Sequence, residues 1–449
     1  MRRRRGLLPV LLVLLLVVAA ACGTGEDDDA ASDDGASSTT AANVEDGAVS
    51  DAQDDEFVAV DQPGVTDDTI TVSGVASATN PLGAPYDQVW DGVDAYFAMI
   101  NDGGGIYQRQ LELPEDNRHD DQFAQNQTEV QRIITQDDPF AVVGVATLNF
   151  AGADLLVDAG IPTFGWNINQ EWQNGDNLFG EKGSYLDFTG GGPLLPFLAR
   201  ETGAHNVGVL AYNVPQSSDC LTGVENSFDL YGADADAEVV FADSSLAYGT
   251  TDLSVQVQQM KDAGVDLVTT CMDTNGVTTL QREMDRQDLG APQYLPNGYD
   301  FDFVRDFGDL FEGSYVLTQF APFEFEPQPQ GIQDYLQWLD ETGGTVGELS
   351  LAGWLSAAQF VTGLRAAGPD FTQQKVTDGL NSVTDFTGDG ILPGTDWTVA
   401  HEADGPELCY AMSQITGGEF VPQFTEEGKP FICFENGADA LPDEPLHED

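Results

Sequence analysis

Thr69-Ile-Thr-Val-Ser-Gly-Val75, a helical stretch ending at Asn101-Asp-Gly-Gly-Gly105, and then Phe140-Ala-Val-Val-Gly144 decide the architecture. The first and last are short runs rich in β-branched residues, which suit a pleated, buried surface. Between them Tyr86, Val89, Trp90, Val93, Phe97 and Ile100 recur at the spacing of one helix face. The glycines at 103–105 stop that helix, because glycine takes the left-handed cap without steric cost. A strand, a crossover helix and a second strand give a parallel sheet covered by helices.

The same alternation continues outward. Arg109–Leu113 reads as a strand, Phe123–Thr135 as a helix turning Val130, Ile133 and Ile134 inward, and Ile161–Phe164 as a further strand. A second series opens at Asn206-Val-Gly-Val-Leu-Ala-Tyr212. It runs through Ala237–Phe241, Val265-Asp-Leu-Val-Thr-Thr270, Gln293–Leu295 and Ser314–Thr318, with helices at Thr251–Ala263 and Gly276–Arg286. A later helix is expected at Ser350–Ala367 and a β-rich ending near Leu408–Val421. The fold class is α/β: two doubly wound lobes joined by a hinge, with a cleft between them where strand carboxyl ends converge.

Charge narrows the function. The 449 residues carry 16 Lys+Arg against 76 Asp+Glu, a net charge of −60. Such a body does not grip nucleic acid or an anionic membrane, which need clustered Lys and Arg. Residues 22–62 hold 13 acids and no base, so most of the acidity belongs to the folded part. With four lysines and dispersed Asp and Glu, folding is expected to depend on counterions, as in a salt or alkaline habitat. The melting temperature should climb strongly between low and molar salt; a flat profile would refute this.

Arg2–Arg5 followed by the apolar run Leu7–Ala21 reads as a secretory signal, too short to span a bilayer of ~20 residues' thickness. Ala19-Ala20-Ala21-Cys22 resembles a bacterial lipobox, although Ala19 stands where Leu is usual, so Cys22 is expected to carry lipid. The small and acidic residues that follow cannot bury enough surface to fold and read as a tether. Outside the cell, Cys220, Cys271, Cys409 and Cys433 are expected as disulfides. Three connectivities are open. Cys220–Cys271 is preferred because both follow strands of one lobe, and Cys409–Cys433 because they flank a C-terminal hairpin.

No catalytic motif stands out: there is no nucleophile elbow, phosphate loop or zinc-protease helix. His119-Asp120-Asp121 reads as a solvated loop after a strand. Asp385-Phe-Thr-Gly-Asp-Gly390 with Asp396 has calcium-like spacing but reads as a glycine-rich turn. No catalytic residue, metal site or cofactor is expected. The binding signal lies at strand ends. Gly144-Val-Ala-Thr-Leu-Asn149 runs from a buried strand toward an expected helix start, where free N–H groups and the Thr147 hydroxyl suit a carboxylate or carbonyl. Trp166-Asn-Ile-Asn169, Tyr212-Asn213, Cys271-Met-Asp273 and Asn297-Gly-Tyr299 also follow strands and add aromatic walls and polar groups.

"NDGGGI" at 101–106, then "LELPEDNRHDD", "PFAVVG" and "AGIP" resemble the N-terminal half of branched-chain amino acid-type periplasmic binding proteins. "HNVGVLAYN", "DAGVDLVTT", "FEGSYVLTQ" and "LAGWLSAAQFVTGLRAAG" match the later segments in order, so the likeness spans residues 66–421. The resemblance implies a type I solute-binding protein of an ABC importer. It places the ligand cradle on Ala146, Thr147 and Leu148, the next binding loop at Trp166 and Asn167, and the second-lobe aromatic on Tyr212. Asp273 stands near the family's ammonium-binding Glu, and Asn297 completes the candidate set. The family's Ser-Ser or Ser-Thr pair is replaced by Ala146-Thr147-Leu148, which departs from an ordinary amino-acid site.

The expected organisation is a signal at 1–21, an acidic tether at 22–65, one lobe at 66–190 and 320–385, a second at 191–319 and 386–435, and an acidic tail at 436–449. The expected role is non-catalytic delivery of a small amino-acid-like or carboxylate/amide solute to ABC permease and ATPase subunits, by a monomer held at the membrane through lipid alone. A sensor subunit of a signalling receptor and an extracellular hydrolase are the alternatives. Genomic neighbours separate transport from sensing, and turnover would reveal a hydrolase.

Overall fold

The runs of β-branched residues become strands of two large sheets in the computed structural model. It describes residues 44–45, 54, 56–80, 83–185, 189–296, 298–401, 408–434 and 440–448, all within the unit Asn43–Asp449. Among these residues no helix is long and apolar enough to cross a membrane. The signal segment and Cys22 lie outside them.

The first sheet has five parallel strands in the order Arg118–Asp120, Ser73–Ala76, Val142–Ala146, Thr163–Gly165, Leu178–Gly180. Its four strands other than Arg118–Asp120 are wholly buried, as a parallel sheet covered on both faces must be. The expected strand at 69–75 is two: Thr69–Thr71 pairs separately with Gln110–Glu112. The helix expected at Phe123–Thr135 is shorter, Asn126–Arg132 followed by a wide turn Ile133–Asp137. Gln122 and Phe123 have positive φ, which no right-handed helix accommodates.

Helices Val89–Asp102 and Glu348–Ala367 cross on this sheet with Gly92 and Gly353 at their contact. The Trp90 indole lies against Gly74 and Gly144, and its N–H donates to the Gly144 carbonyl at 3.2 Å. Both helices present their amino ends beside the strand carboxyl ends, which puts Tyr86 and Glu348 near the cleft.

The second sheet runs Glu238–Leu246, Asn206–Tyr212, Leu267–Cys271, Gln293–Leu295, Tyr315–Thr318, Cys409–Thr416, Phe431–Cys433, Leu446–Glu448, with Glu419–Gln423 also on Cys409–Thr416. Its first five strands are parallel and the later pairings antiparallel. Helices Leu194–Thr202, Pro215–Ala235, Ser254–Ala263 and Thr274–Arg286 intervene. After Thr318 the chain returns to the first lobe, where Ala321 N–H donates to the Ile391 carbonyl at 2.8 Å.

Three boundaries differ from expectation. Residues 386–401 pack on the first lobe: the Trp397 ring lies 5.0 Å from Phe179, and Trp397 N–H donates to Val383. Burying that indole outweighs the glycine-rich composition that suggested a crossover. Part of the expected C-terminal tail forms strand Leu446–Glu448 against Phe431–Cys433. The end of the expected tether is also docked. Arg109 is fully buried, and its guanidinium donates to the carbonyls of Val58 at 2.9 Å, Thr66 at 2.8 Å and Tyr107 at 3.2 Å. A buried guanidinium needs such acceptors. Asp54 pairs with Arg365 at 2.9 Å.

Candidate functional site

The strand ends of the first lobe assemble one wall. Tyr86 precedes the helix Val89–Asp102, is buried, and sits 5.5 Å from the Trp166 ring. Trp166 follows strand Thr163–Gly165 and is tied by its N–H to the Val145 carbonyl at 2.8 Å. Ala146 ends its strand with its carbonyl accepting from Ser77 N–H at 2.9 Å. Thr147 is buried and its Oγ1 has no partner among the described residues.

Two of the N–H donors in this stretch are engaged by side chains. Leu148 N–H donates to Ser77 Oγ at 3.0 Å, and Ser77 donates in turn to Asp121 at 2.8 Å. The helix begins only at Ala153, not at 147–149, and Gly152 N–H ahead of it goes to Asn126 Oδ1 at 2.9 Å. Side chains thus satisfy these two N–H groups where a helix end would have left them free. Asn167 donates to the Gly183 carbonyl at 3.1 Å, and Asn169 to the Leu148 carbonyl at 3.3 Å. Both residues are buried braces of the turn.

On the second lobe Tyr212 ends strand Asn206–Tyr212, and its ring meets Tyr248 edge-on at 5.1 Å. Both hydroxyls donate to one carboxylate: Tyr212 to Asp273 Oδ1 at 2.8 Å and Tyr248 to Asp273 Oδ2 at 3.1 Å. Gly276 N–H adds a third bond to Oδ1 at 2.9 Å, making Asp273 the cap of helix Thr274–Arg286. Asp273 was expected to meet a solute ammonium directly; here it chiefly organises two tyrosines. Burial pushes the Tyr248 hydroxyl up to about 12, reinforced by Asp273, and raises Tyr212 further. Asn297 lies outside the described residues.

The two walls share an electrostatic neighbourhood. Burial raises the pKa of Tyr86, and Tyr248, Glu348 and Asp273 add to the shift, so Tyr86 is within reach of both lobes' acids. Lys182, after strand Leu178–Gly180, bonds Glu181 at 2.9 Å and reaches Gln319 at 2.5 Å. Burial raises the pKa of Glu181 and of Glu348, and Lys182 opposes both shifts. Sequence reading placed Tyr86 on a core face and passed over Glu181, Lys182, Tyr248 and Glu348. The one available signal was Lys182, a rare cation immediately beyond a buried strand.

Both expected disulfides are present: Cys220–Cys271 with Cα atoms 5.9 Å apart, and Cys409–Cys433 at 4.0 Å. His119 is not in a solvated loop. It is buried in strand Arg118–Asp120, between Glu129 at 3.0 Å and Asp137 at 2.7 Å, because that strand adds to the sheet edge. A separate open cavity of about 730 Å³ lies between helix Phe301–Phe307 and the hairpin at Gly417–Phe420. It shares no residue with the walls described above.

A family model described as periplasmic binding protein matches residues 69–419. No curated protein is similar enough to count as a match. Among solved structures, a branched-chain amino acid transporter substrate-binding protein from Streptococcus pneumoniae, in complex with isoleucine, has 18% identity and a TM-score of 0.65. The alignment covers 78% of this chain and 97% of that one. A solute-binding protein of an ABC transporter from R. palustris, in complex with 4-hydroxybenzoate, has 17% identity and a TM-score of 0.64, covering 83% and 98%. A branched-chain amino acid ABC transporter from Thermus thermophilus with bound valine has 18% identity and a TM-score of 0.62, covering 79% and 95%. At these identities the likeness is one of fold.

Proposed function

Because the chain belongs to the periplasmic binding protein family, we propose that its cleft captures a small solute outside the cytoplasm and presents it to an ABC importer. The observation that supports this reading is that Tyr86, beside Trp166 on one lobe, is near enough to Tyr248 and Asp273 of the other for their charges to act on it. Aromatic walls with few polar groups are the usual make-up of a small-molecule site. A solute touching both walls favours the closed arrangement, and its affinity for that state sets the population shift.

In this reading Ala146, Thr147 and Leu148 line the first-lobe turn, with Trp166 above them and Asn167 holding the next loop in place. Thr147→Val should weaken solute binding by ~1–3 kcal/mol, because its hydroxyl has no partner among the described residues and is left for solute. Tyr212→Ala should impair affinity and closure together. Calorimetry with a solute recovered from extract, alongside small-angle scattering, tests both. Unchanged affinity in the two variants moves the site elsewhere, and no solute-driven compaction rejects the clamp.

The anchor belongs to the same reading. Cys22 becomes the lipid-bearing first residue, and the chain after it leads to the body at Val44–Glu45, which pair with Val383 and Asp385. Mass spectrometry of the membrane fraction should find a diacylglyceryl mass on a new amino terminus at Cys22. A soluble, unmodified mature chain rejects it.

A further inference from the structure

The protons already committed in the cleft determine which hydrogen-bonding groups remain for a solute. Tyr212 and Tyr248 have one phenolic proton each, and Asp273 accepts both, so the two rings offer a solute lone pairs. Leu148 N–H and the Ser77 proton are held by Ser77 and Asp121. Asn167 and Asn169 bond carbonyl oxygens, which requires their amide nitrogens there and leaves each Oδ1 buried without a partner among the described residues. Thr147 Oγ1 also has no partner among the described residues, and its hydroxyl can donate as well as accept.

Charge points the same way. Glu348 and Asp273 act on Tyr86, and Glu181 and Glu348 lie by Lys182. Lys182 is the cation acting on the first two, and it is engaged by Glu181 and Gln319. Glu348, in the first turn of its helix, is half-buried and makes no hydrogen bond through its carboxylate among the described residues. A solute carboxylate would bring a further negative charge into a partly dry site whose cation is occupied. An ammonium or guanidinium would meet unfilled acceptors and aromatic faces.

We propose that the solute's polar end is an organic cation bearing N–H groups, a protonated amine or a guanidinium. Glu348 and the phenolic oxygens of Tyr212 and Tyr248 receive it, against the rings of Tyr86 and Trp166. This rests on the cleft being the solute site. It departs from the carboxylate or carbonyl group expected to meet the strand-end turn.

Glu348 also gives the inference a second readout. Glu181 and Lys182 face it from the end of strand Leu178–Gly180, and Tyr86 from the start of the adjacent helix. Its pKa is raised by burial, so above the ordinary carboxylate range the folded state holds a proton that the unfolded state has lost. Stability therefore declines as pH rises through that window. Glu348→Gln should raise the melting temperature of the solute-free chain by a few degrees at neutral pH and change it little at pH 4.

The test uses 3-methylbutylamine, 4-methylpentanoate, butylguanidinium and tetramethylammonium with the full chain, by calorimetry and scattering. The first two share an apolar body and differ at the polar end. The amine or the guanidinium should bind and compact the protein at least tenfold more tightly than the carboxylate and than tetramethylammonium, which has no N–H. Glu348→Gln should weaken that binding at least tenfold while stabilising the solute-free chain at neutral pH. Compaction by 4-methylpentanoate with neither N–H cation bound overturns the cation assignment and leaves the solute-binding reading intact. If no probe binds, a solute retained from extract that lacks an ammonium or guanidinium overturns it equally. Failure to retain or compact around any solute defeats the underlying reading as well.

Discussion

Gly92→Ala or Gly353→Ala should each destabilise the protein by about 3 kcal/mol or more, the upper end of what overpacking costs. A Cβ on Gly92 would stand 1.7 Å from the Ser350 carbonyl oxygen and 2.6 Å from Trp354 N. One on Gly353 would stand 1.7 Å from the Val89 carbonyl oxygen. These obstacles are backbone atoms within helices, so no rotamer change relieves them, and the helices Val89–Asp102 and Glu348–Ala367 would have to separate along a crossing that Trp354 and Trp90 help pack. The effect should reach the cleft. Tyr86 lies just ahead of one helix and Glu348 opens the other, so separating them displaces both. Thermal unfolding checks the prediction, with Gly290→Ala as control, since nothing lies within 4 Å of a Cβ there. Equal melting temperatures for Gly92→Ala and the control would refute it. Solute affinity, measured well below the transition, should fall in the crossing variants alone.

What made the fold legible were runs whose burial shows locally. Leu267–Cys271 is buried throughout and reads as a strand because neither face can carry charge. Helix Val89–Asp102 follows from its apolar spacing and the glycines after it. Helix Pro215–Ala235 was less visible: serines, acids and small residues give it only a weak apolar stripe, and packing against its sheet supplies what local pattern does not. The site was half legible. Thr147, Trp166, Tyr212 and Asp273 stand at strand ends, a position that chain order reveals. Tyr86, Tyr248 and Glu348 come from three distant segments whose approach depends on how the sheets and helices close. Nor does sequence show who holds a proton. That Asp273 accepts from two tyrosines and caps its own helix emerges only from side-chain geometry, and it changes which solute the cleft suits.

Removing the Cys220–Cys271 bridge should cost about 4 kcal/mol and loosen the second-lobe wall. The bridge spans a sequence separation of 51, and the chain-entropy model gives about that value for such a loop. It is placed to do more than restrict the unfolded chain. Cys220 lies in the first turns of helix Pro215–Ala235, and Cys271 ends the strand that leads to Asp273. Ser217, on the same helix, accepts Tyr212 N–H at 2.7 Å and donates to the Cys271 carbonyl. Helix, the Cys271 strand end and the end of the Tyr212 strand are thereby fastened together at the cleft. Cys409–Cys433 is the informative contrast. Its separation of 24 gives about 3.5 kcal/mol in the same model, but its cysteines face each other across an antiparallel ladder that persists without the bond. The double variants Cys220→Ala/Cys271→Ala and Cys409→Ala/Cys433→Ala should therefore both melt earlier under non-reducing conditions. Only the first should also lose solute affinity, because only it frees the strand end that positions Asp273 for Tyr212 and Tyr248. Equal affinities in the two variants would show that the Ser217 hydrogen bonds suffice to hold the wall. An unchanged melting temperature in the first would refute the stabilising role of the bridge.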